Sequence, residues 1–388
     1  MWGLDSAIHK RLLSSRRLWV GLSGGLDSTV LLHLLASNNQ LRDKLHAVHI
    51  HHGLSQHADA WHTHCKAFCA QYHIQFTLKS IQFNKTANLE ATARDARRAV
   101  FDALIHPSDC LLLAHHKNDQ AETLLLNLLR GTGIDGLAAM PQTQPFGEGD
   151  LIRPLLHLTR EDLNAYAKQH ALTWIEDESN QDTHFSRNYL RHEILPRLKT
   201  RWPDALSALN TCATHAQAAT KNLDDLAYLD CPELALKPLK LELHALYDLP
   251  RQRLAQVLRT WLKQHNIKLP TTGVLHALIT EVIFARQDAT PCVRFHHIAI
   301  RRYQDVLYLV RETELVCKAS NTKRFRQGGE RMRWRGHTRS LKYIFQTLGV
   351  PPWLRDTIPL IFVDNTLVAV LDFAIADGYT KEDVYDTV

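Results

Sequence analysis

Ser23-Gly24-Gly25-Leu26-Asp27-Ser28 is the stretch of this chain best suited to chemistry. It follows an apolar run ending at Leu22 and precedes one with helical spacing, TVLLHLL, which makes it a strand-to-helix turn. Such a turn leaves backbone N–H groups unpaired and adds the positive end of the helix dipole. Glycines let the backbone approach a ligand closely and adopt positive φ. The natural occupant is an anion, phosphate above all. The patterns G-x-x-x-x-G-K-[ST] and G-x-G-x-x-G are both absent here, so neither a P-loop lysine nor a dinucleotide fingerprint explains the loop. The competing explanation is an ordinary turn in which Asp27 or Ser28 merely caps the helix.

Other residues add to this candidate. Asp119 and Glu122 stand three apart at the start of a helical pattern and share one face. Two acids there also serve simple helix-dipole stabilisation. Arg94 and Arg97 share a face of an earlier helix, and Arg130 ends the helix that Asp119 begins. The net charge is +6, yet residues 323–342, KRFRQGGERMRWRGHTRSLK, hold eight Lys/Arg against one Glu. That local +7 leaves the remainder near −1, so the basic character is concentrated in one segment. With Phe325 and Trp334 interleaved, Arg331, Arg333 and Arg335 suit a polyanion such as RNA; a solvated charged face is the alternative. The 24 histidines include His49, His51 and His52 after one strand and His115 and His116 after another, without a recognisable zinc spacing. Seven scattered cysteines with no CxxC pair argue against a disulfide framework or a zinc ribbon and fit a reducing cytoplasm. No apolar run approaches a membrane span, and the N-terminus lacks a secretion signal's apolar core.

The elements that must position these residues follow from periodicity. Over the first 130 residues, apolar strands at WVGLS, LHAVHI, Gln75–Lys79 and CLLLAHH alternate with helices at 56–72, Leu89–Ile105 and Asp119–Arg130. This predicts an α/β domain, a doubly wound parallel sheet with helices on both faces. Ligands bind beyond the carboxyl ends of such strands, where SGGLDS, HHGLS and HHKNDQAET fall. Residues 140–153 read as a surface loop, followed by a helix from Thr159 to His170. Three domains are expected: 1–200 for nucleotide chemistry, a mainly helical 204–312 ending in a hairpin turned at Gln304-Asp305, and a small basic α+β domain at 316–388.

Ser23 to Ser28 resembles the SGGxDS signature of the PP-loop ATP pyrophosphatases, which split ATP between the α- and β-phosphates. The ordered series HIHHGLS, NLEATARDAR, LAHHKNDQAETLLLNLLRGTGIDGLAAM, IRPLL and DESNQDTHFSRNYLRHEILP is similar to the tRNA(Ile)-lysidine synthetases, as is the basic C-terminal stretch. The likeness runs from about residue 18 to the C-terminus and is weakest across 204–285. It implies a ligase that uses ATP to adenylate C2 of the wobble cytidine in a tRNA(Ile) with a CAU anticodon. Free L-lysine then displaces AMP. On that resemblance Ser23, Gly24, Gly25, Leu26, Asp27 and Ser28 hold the phosphates, with Asp27 a Mg²⁺ contact, because a carboxylate facing pyrophosphate calls for a cation between them. Asp119 and Glu122 would take the amino groups of lysine. Arg94, Arg97 and Arg130 would face nucleotide or RNA. Asn180, Arg187, Asn188 and Arg191 would line the same cleft, with Arg187 and Arg191 binding RNA. The partners implied are tRNA, lysine and ATP; no membrane is expected, and a homodimer is left open.

Two positions depart from the family pattern: Asn118 where Asp is common, and Arg98 where Tyr is frequent. Two rival functions remain at this level. A PP-loop tRNA thiolase would activate the base identically but deliver sulfur, generally through reactive cysteines. A non-catalytic, nucleotide-gated RNA-binding protein would need neither acid.

Overall fold

A computed structural model describes residues 5–51, 58–81, 89–176, 181–286, 289–311, 323–380 and 382. Asn180 and most of HHGLS lie outside them. The chain separates into two compact units, residues 1–222 and 223–388.

The first unit is built on a sheet of β1 (Leu18–Gly21), β2 (Leu45–His51), β3 (Gln75–Ser80), β4 (Cys110–Leu112), β5 (Thr143–Phe146) and β6 (Gly149–Ile152), in the order β3-β2-β1-β4-β6-β5. All neighbours run parallel except the β5–β6 hairpin. Its helices are α1 (Ser6–Ser14), α2 (Leu26–Ala36), α3 (Asn39–Arg42), α4 (Ala58–Gln71), α5 (Leu89–Asp102), α6 (Lys117–Leu129), α7 (Ile134–Leu137), α8 (Arg160–Gln169), α9 (Ser186–Tyr189) and α10 (Leu195–Arg201), with a π-helical turn at Leu190–Ile194; α11 (Ala205–Asp230) begins in this unit and ends in the second. Strand alternation sends side chains to opposite faces. Leu18 and Val20 of β1 enter one core with Leu31, Leu32 and Leu35 of α2, while Trp19 enters the other with Phe101 of α5. Both faces are therefore covered, as the near-continuous apolar strands require. Truncating a fully buried leucine such as Leu32 should cost about 2–5 kcal/mol.

One expectation fails here. Residues 140–153 are not a plain loop but contain the β5–β6 hairpin that completes the sheet. The strands are four residues each, and Pro145 sits in β5 at the sheet edge, the one place where a missing N–H is tolerated. So short a segment with Pro and Gly shows no periodicity. The helix at Arg160–Gln169 does form, with Thr159 and Asp162 closing a capping box.

In the second unit, β7 (Lys240–Glu242), β8 (Cys292–Phe295), β9 (Ile298–Tyr303) and β10 (Val306–Arg311) form an antiparallel sheet ordered β7-β10-β9-β8. It packs with α12 (Arg251–Gln264) and α13 (Thr272–Ala277) around the fully buried Trp261. The β9–β10 turn falls at Gln304-Asp305, as expected. Buried Arg302 donates to the carbonyls of Ile283, Ala285 and Arg286, at and just beyond the end of a π-helical turn at Leu278–Ile283. A second sheet of β11 (Lys323–Arg324), β14 (Leu360–Val363), β15 (Thr366–Val370) and β16 (Ala374–Ile375) lies with the hairpin β12 (Arg331–Trp334) and β13 (His337–Ser340) and with α14 (Leu341–Thr347). Among the described residues no helix is long and apolar enough to cross a membrane.

Candidate active site

The strand order reverses at β1: from it the chain moves to β2 and β3, then returns to β4 on its other side. At such a switch point the loops after the two central strands diverge and leave a crevice. The loop after β1 is SGGLDS; the segment after β4 is AHHKNDQ. Topology thus brings together two motifs about ninety residues apart.

The SGGLDS loop is folded on its own hydroxyls. Ser28 Oγ accepts the Ser23 N–H at 3.2 Å and lies 3.0 Å from Ser23 Oγ, which accepts the Gly25 N–H at 3.3 Å. The N-cap of α2 is Gly25, with no side-chain cap, so neither Asp27 nor Ser28 is the cap that the simpler explanation required. Gly24 has φ +89°, and a Cβ there would stand 3.0 Å from Cys65 Sγ. Gly24→Ala therefore combines left-handed strain of about 1–2 kcal/mol with a tight contact, and it should weaken ATP binding at least about tenfold by calorimetry. Unchanged affinity would show that the loop does not cradle the nucleotide.

Across the crevice, His116 caps α6. Its Nδ1 accepts the Asn118 N–H at 3.2 Å while Asp119 Oδ2 accepts the His116 N–H at 3.1 Å, a reciprocal capping box. His116 Nε2 lies 3.6 Å from Asp27 Oδ2 and 3.4 Å from Asp119 Oδ2. Burial opposes a charge on this ring, but Asp27 and Asp119 outweigh it and raise its pKa. Asp119 is likewise buried against its charge, yet His116, Arg187 and Arg191 hold its carboxyl below the usual range. Glu122, fully buried, receives Arg187 Nε at 2.9 Å, Arg191 Nε at 2.7 Å and Arg191 Nη2 at 3.0 Å. Arg191 also reaches Asp119 Oδ1 at 3.1 Å. Asp27, Asp119, Glu122, Arg187 and Arg191 thus form one constellation, with His116 as the member that joins the loop to the rest.

Arg97 lies within electrostatic reach of Arg94 and Arg187, which places the α5 arginines beside this group. Arg153 donates from Nε to His115 Nδ1 at 3.3 Å, and burial together with Arg94 lowers its pKa to about 10. Burial holds His115 neutral, with a pKa of about 3. His116, His115 and Arg153 were quoted within motifs but given no individual role by sequence reasoning. The available signal for His116 was a histidine immediately after a buried strand and three residues before an acid.

Both departures find a place. Asn118 Oδ1 accepts the Arg160 N–H at 3.1 Å and so supports the start of α8 rather than the acid cluster. The Arg98 guanidinium lies over the Phe146 ring at 5.3 Å, where a tyrosine would also pack. Asn188 donates to the Asp182 carbonyl at 2.9 Å.

Arg331, Arg333 and Arg335 belong to the second unit, exposed on and just beyond β12, without an acidic side-chain partner among the described residues. Trp334 differs from expectation: strand alternation buries it with Met332, and the Arg335 guanidinium covers its ring at 4.3 Å. An exposed aromatic of this unit is Tyr343, overlain by Arg339 at 4.9 Å.

Asp27 Oδ1 is shielded from solvent and has no hydrogen-bond partner, an arrangement that fits a cation. Among the described residues no three His, Cys, Asp or Glu side chains converge to hold a metal ion by themselves. Mg²⁺ characteristically takes one or two carboxylates and fills its shell with phosphate oxygens and water, so one aspartate beside a phosphate loop is an adequate donor set.

Buried histidines make the first unit sensitive to acid. Burial lowers the pKa of His33, whose Nδ1 lies 2.9 Å from Tyr166 Oη, and of His49, whose Nδ1 lies 2.8 Å from the Leu22 carbonyl oxygen. A folded pKa below the unfolded value near 6.5 means that the unfolded chain binds protons first as pH falls. The stability these groups confer is complete above that pH and is lost below it, by up to about 1.4 kcal/mol per pH unit for each histidine. Melting curves at pH 7, 6 and 5 should show a falling Tm; a flat Tm would contradict the neutral, buried assignment.

A strand-crossover crevice with an uncapped Ser/Gly loop and an acid-arginine cluster defines an ATP-using PP-loop protein, and residues 4–198 match the family model described as a PP-loop domain. Residues 241–308 match the TilS substrate binding domain and 322–385 the TilS substrate C-terminal domain. The chain is 42% identical over 402 residues to a tRNA(Ile)-lysidine synthase of Legionella pneumophila (strain Paris), covering 95% of this chain and 93% of that protein. It is 37% identical to one from Coxiella burnetii (95% and 91% covered) and 38% to one from Salmonella choleraesuis (97% and 96%). The chain belongs to the tRNA(Ile)-lysidine synthase family.

Proposed function

We propose that this protein ligates lysine to C2 of the wobble cytidine in the CAU anticodon of tRNA(Ile), through an adenylated tRNA. What carries the reading is the meeting, at one strand crossover, of the SGGLDS loop with Asp119, Glu122, Arg187 and Arg191.

The cytidine C2 oxygen attacks the α-phosphorus of ATP; the α–β P–O bond breaks and pyrophosphate leaves. The C2 oxygen, a poor leaving group as an oxide, is now part of an AMP ester. The neutral ε-amine of lysine attacks C2, the C2–O bond breaks with its electron pair going to AMP, and the amine nitrogen loses a proton. Ser23, the glycines and Ser28 would orient the phosphates through backbone N–H groups and hydroxyls. Asp27 would hold Mg²⁺ through its unpaired Oδ1; when bound, the ion neutralises charge between the carboxylate and pyrophosphate. Both acids already meet protein donors, but the Asp119 side chain is 12% exposed while that of Glu122 is fully buried between Arg187 and Arg191. On that difference we assign Asp119 to the lysine ammonium, with Glu122 acting through the arginines it holds. Arg94 and Arg97 would meet the incoming polyanion.

Thiolase chemistry finds no support in Cys65 and Cys69, which are fully buried and whose thiols burial pushes up to about 12.

The test is direct. The protein is incubated with ATP, Mg²⁺, labelled lysine and a tRNA(Ile) transcript bearing CAU, and the digested nucleosides are analysed by mass. Lysine should appear on the wobble cytidine, with AMP and pyrophosphate released, and not on a transcript lacking that cytidine. Pyrophosphate without lysine transfer would leave adenylation standing and overturn the choice of nucleophile.

The exposed arginines of β12 are proposed to contact phosphates of the tRNA. Neutralising Arg331, Arg333 and Arg335 together should weaken tRNA binding about tenfold or more and lower the slope of log K against log salt by about two, leaving ATP affinity unchanged. An unchanged salt slope would remove them from the interface.

A further inference from the structure

We propose that His116 is a positioning residue that sets Asp27 of the nucleotide loop, and that it can do so because it is also a helix cap. Its Nδ1 accepts the Asn118 N–H at 3.2 Å, so in the neutral ring the proton resides on Nε2. The ring is 1% exposed, and turning it would forfeit the cap. Nε2–H is therefore aimed at one place, where Asp27 Oδ2 stands at 3.6 Å and Asp119 Oδ2 at 3.4 Å. Asp27 rides on α2 after β1 and His116 follows β4, so the imidazole spans the crevice between two adjacent strands. With Oδ2 steered toward the imidazole, Oδ1 remains the unpartnered oxygen available to a cation.

The fixed side chain matters because, beyond the field of Arg191, little else holds Asp27: among the described residues no hydrogen bond reaches its Oδ1. A carboxylate free to rotate would lose side-chain entropy on meeting the ion; one already oriented would not. The inference rests on the assignment of ATP and Mg²⁺ to this loop.

His116→Asn separates the two roles. Asparagine is among the best N-cap residues, so α6 keeps its start, but its shorter amide does not span to Asp27. The experiment titrates ATP into the full-length protein across a range of Mg²⁺ and records the melting temperature of each variant. His116→Asn should melt within about 2 °C of wild type, whereas His116→Ala, lacking the cap, melts lower. The Mg²⁺ concentration giving half-maximal ATP binding should rise about tenfold in His116→Asn. Asp27→Asn should show the same defect, and the double variant should be no worse than Asp27→Asn, the non-additivity expected of residues acting through one another. If asparagine fails to restore the melting temperature, the same cycle is measured at a temperature where every variant is folded, and the coupling decides. A wild-type Mg²⁺ midpoint in His116→Asn, or fully additive effects, would overturn the role of His116 and leave the Mg²⁺ assignment intact. Wild-type ATP binding that is indifferent to Mg²⁺ would overturn both.

Discussion

Arg191→Ala should destabilise the first unit by about 3 kcal/mol, at the lower end of what breaking a buried ion pair costs. Glu122 is fully buried and takes two bonds from Arg191, at 2.7 and 3.0 Å; removing that side chain leaves a carboxylate out of water with only Arg187 to meet it. Asp119 Oδ1 loses its 3.1 Å partner in the same step. For a unit of this size the expected fall in Tm is about 6–12 °C. Glu122→Gln in the same background should recover at least half of the loss, because a neutral amide does not leave an uncompensated charge. A loss of 1 kcal/mol or less, the range of solvated surface pairs, would show that water reaches Glu122 once the arginine is gone.

Asp119→Asn should raise the KM for lysine about 10²-fold while changing that for ATP less than about threefold. A carboxylate–ammonium contact is charge-assisted, and losing one partner of a buried charged pair costs several kcal/mol. Asparagine retains an oxygen that can accept the His116 N–H, so the capping box and the start of α6 survive the change. The surroundings worsen the loss: without the aspartate charge, a lysine ammonium would meet Arg187 and Arg191 with less compensation. Steady-state kinetics with each substrate varied in turn provide the measurement. Equal rises in both KM values would reassign Asp119 to the organisation of the whole crevice.

These predictions depend on contacts that differ in how visible they were beforehand. The SGGLDS turn and the Asp119–Glu122 pair were plain as patterns, because local spacing determines which residues share a turn or a helix face. Residues 140–153 were misread as a loop for the same reason. Two four-residue strands with Pro145 and Gly147 among them carry no period, and their existence depends on the pairing of β6 with β4, some forty residues earlier. Trp334 was misplaced because an aromatic among arginines looks like an RNA contact until strand alternation turns it inward beside Met332.

By itself the sequence determined the alternating α/β pattern, the concentration of positive charge at 323–342 and the order of motifs that marks the family. These are properties of composition and of neighbours a few residues apart, and no folding is needed to express them. Only the tertiary structure decided what those motifs touch. Strand order seats His116 between Asp27 and Asp119, and a helix some seventy residues farther on delivers Arg187 and Arg191 to Glu122. Such contacts arise from the path of the chain through space, and a buried carboxylate accepts whatever cation that path brings to it.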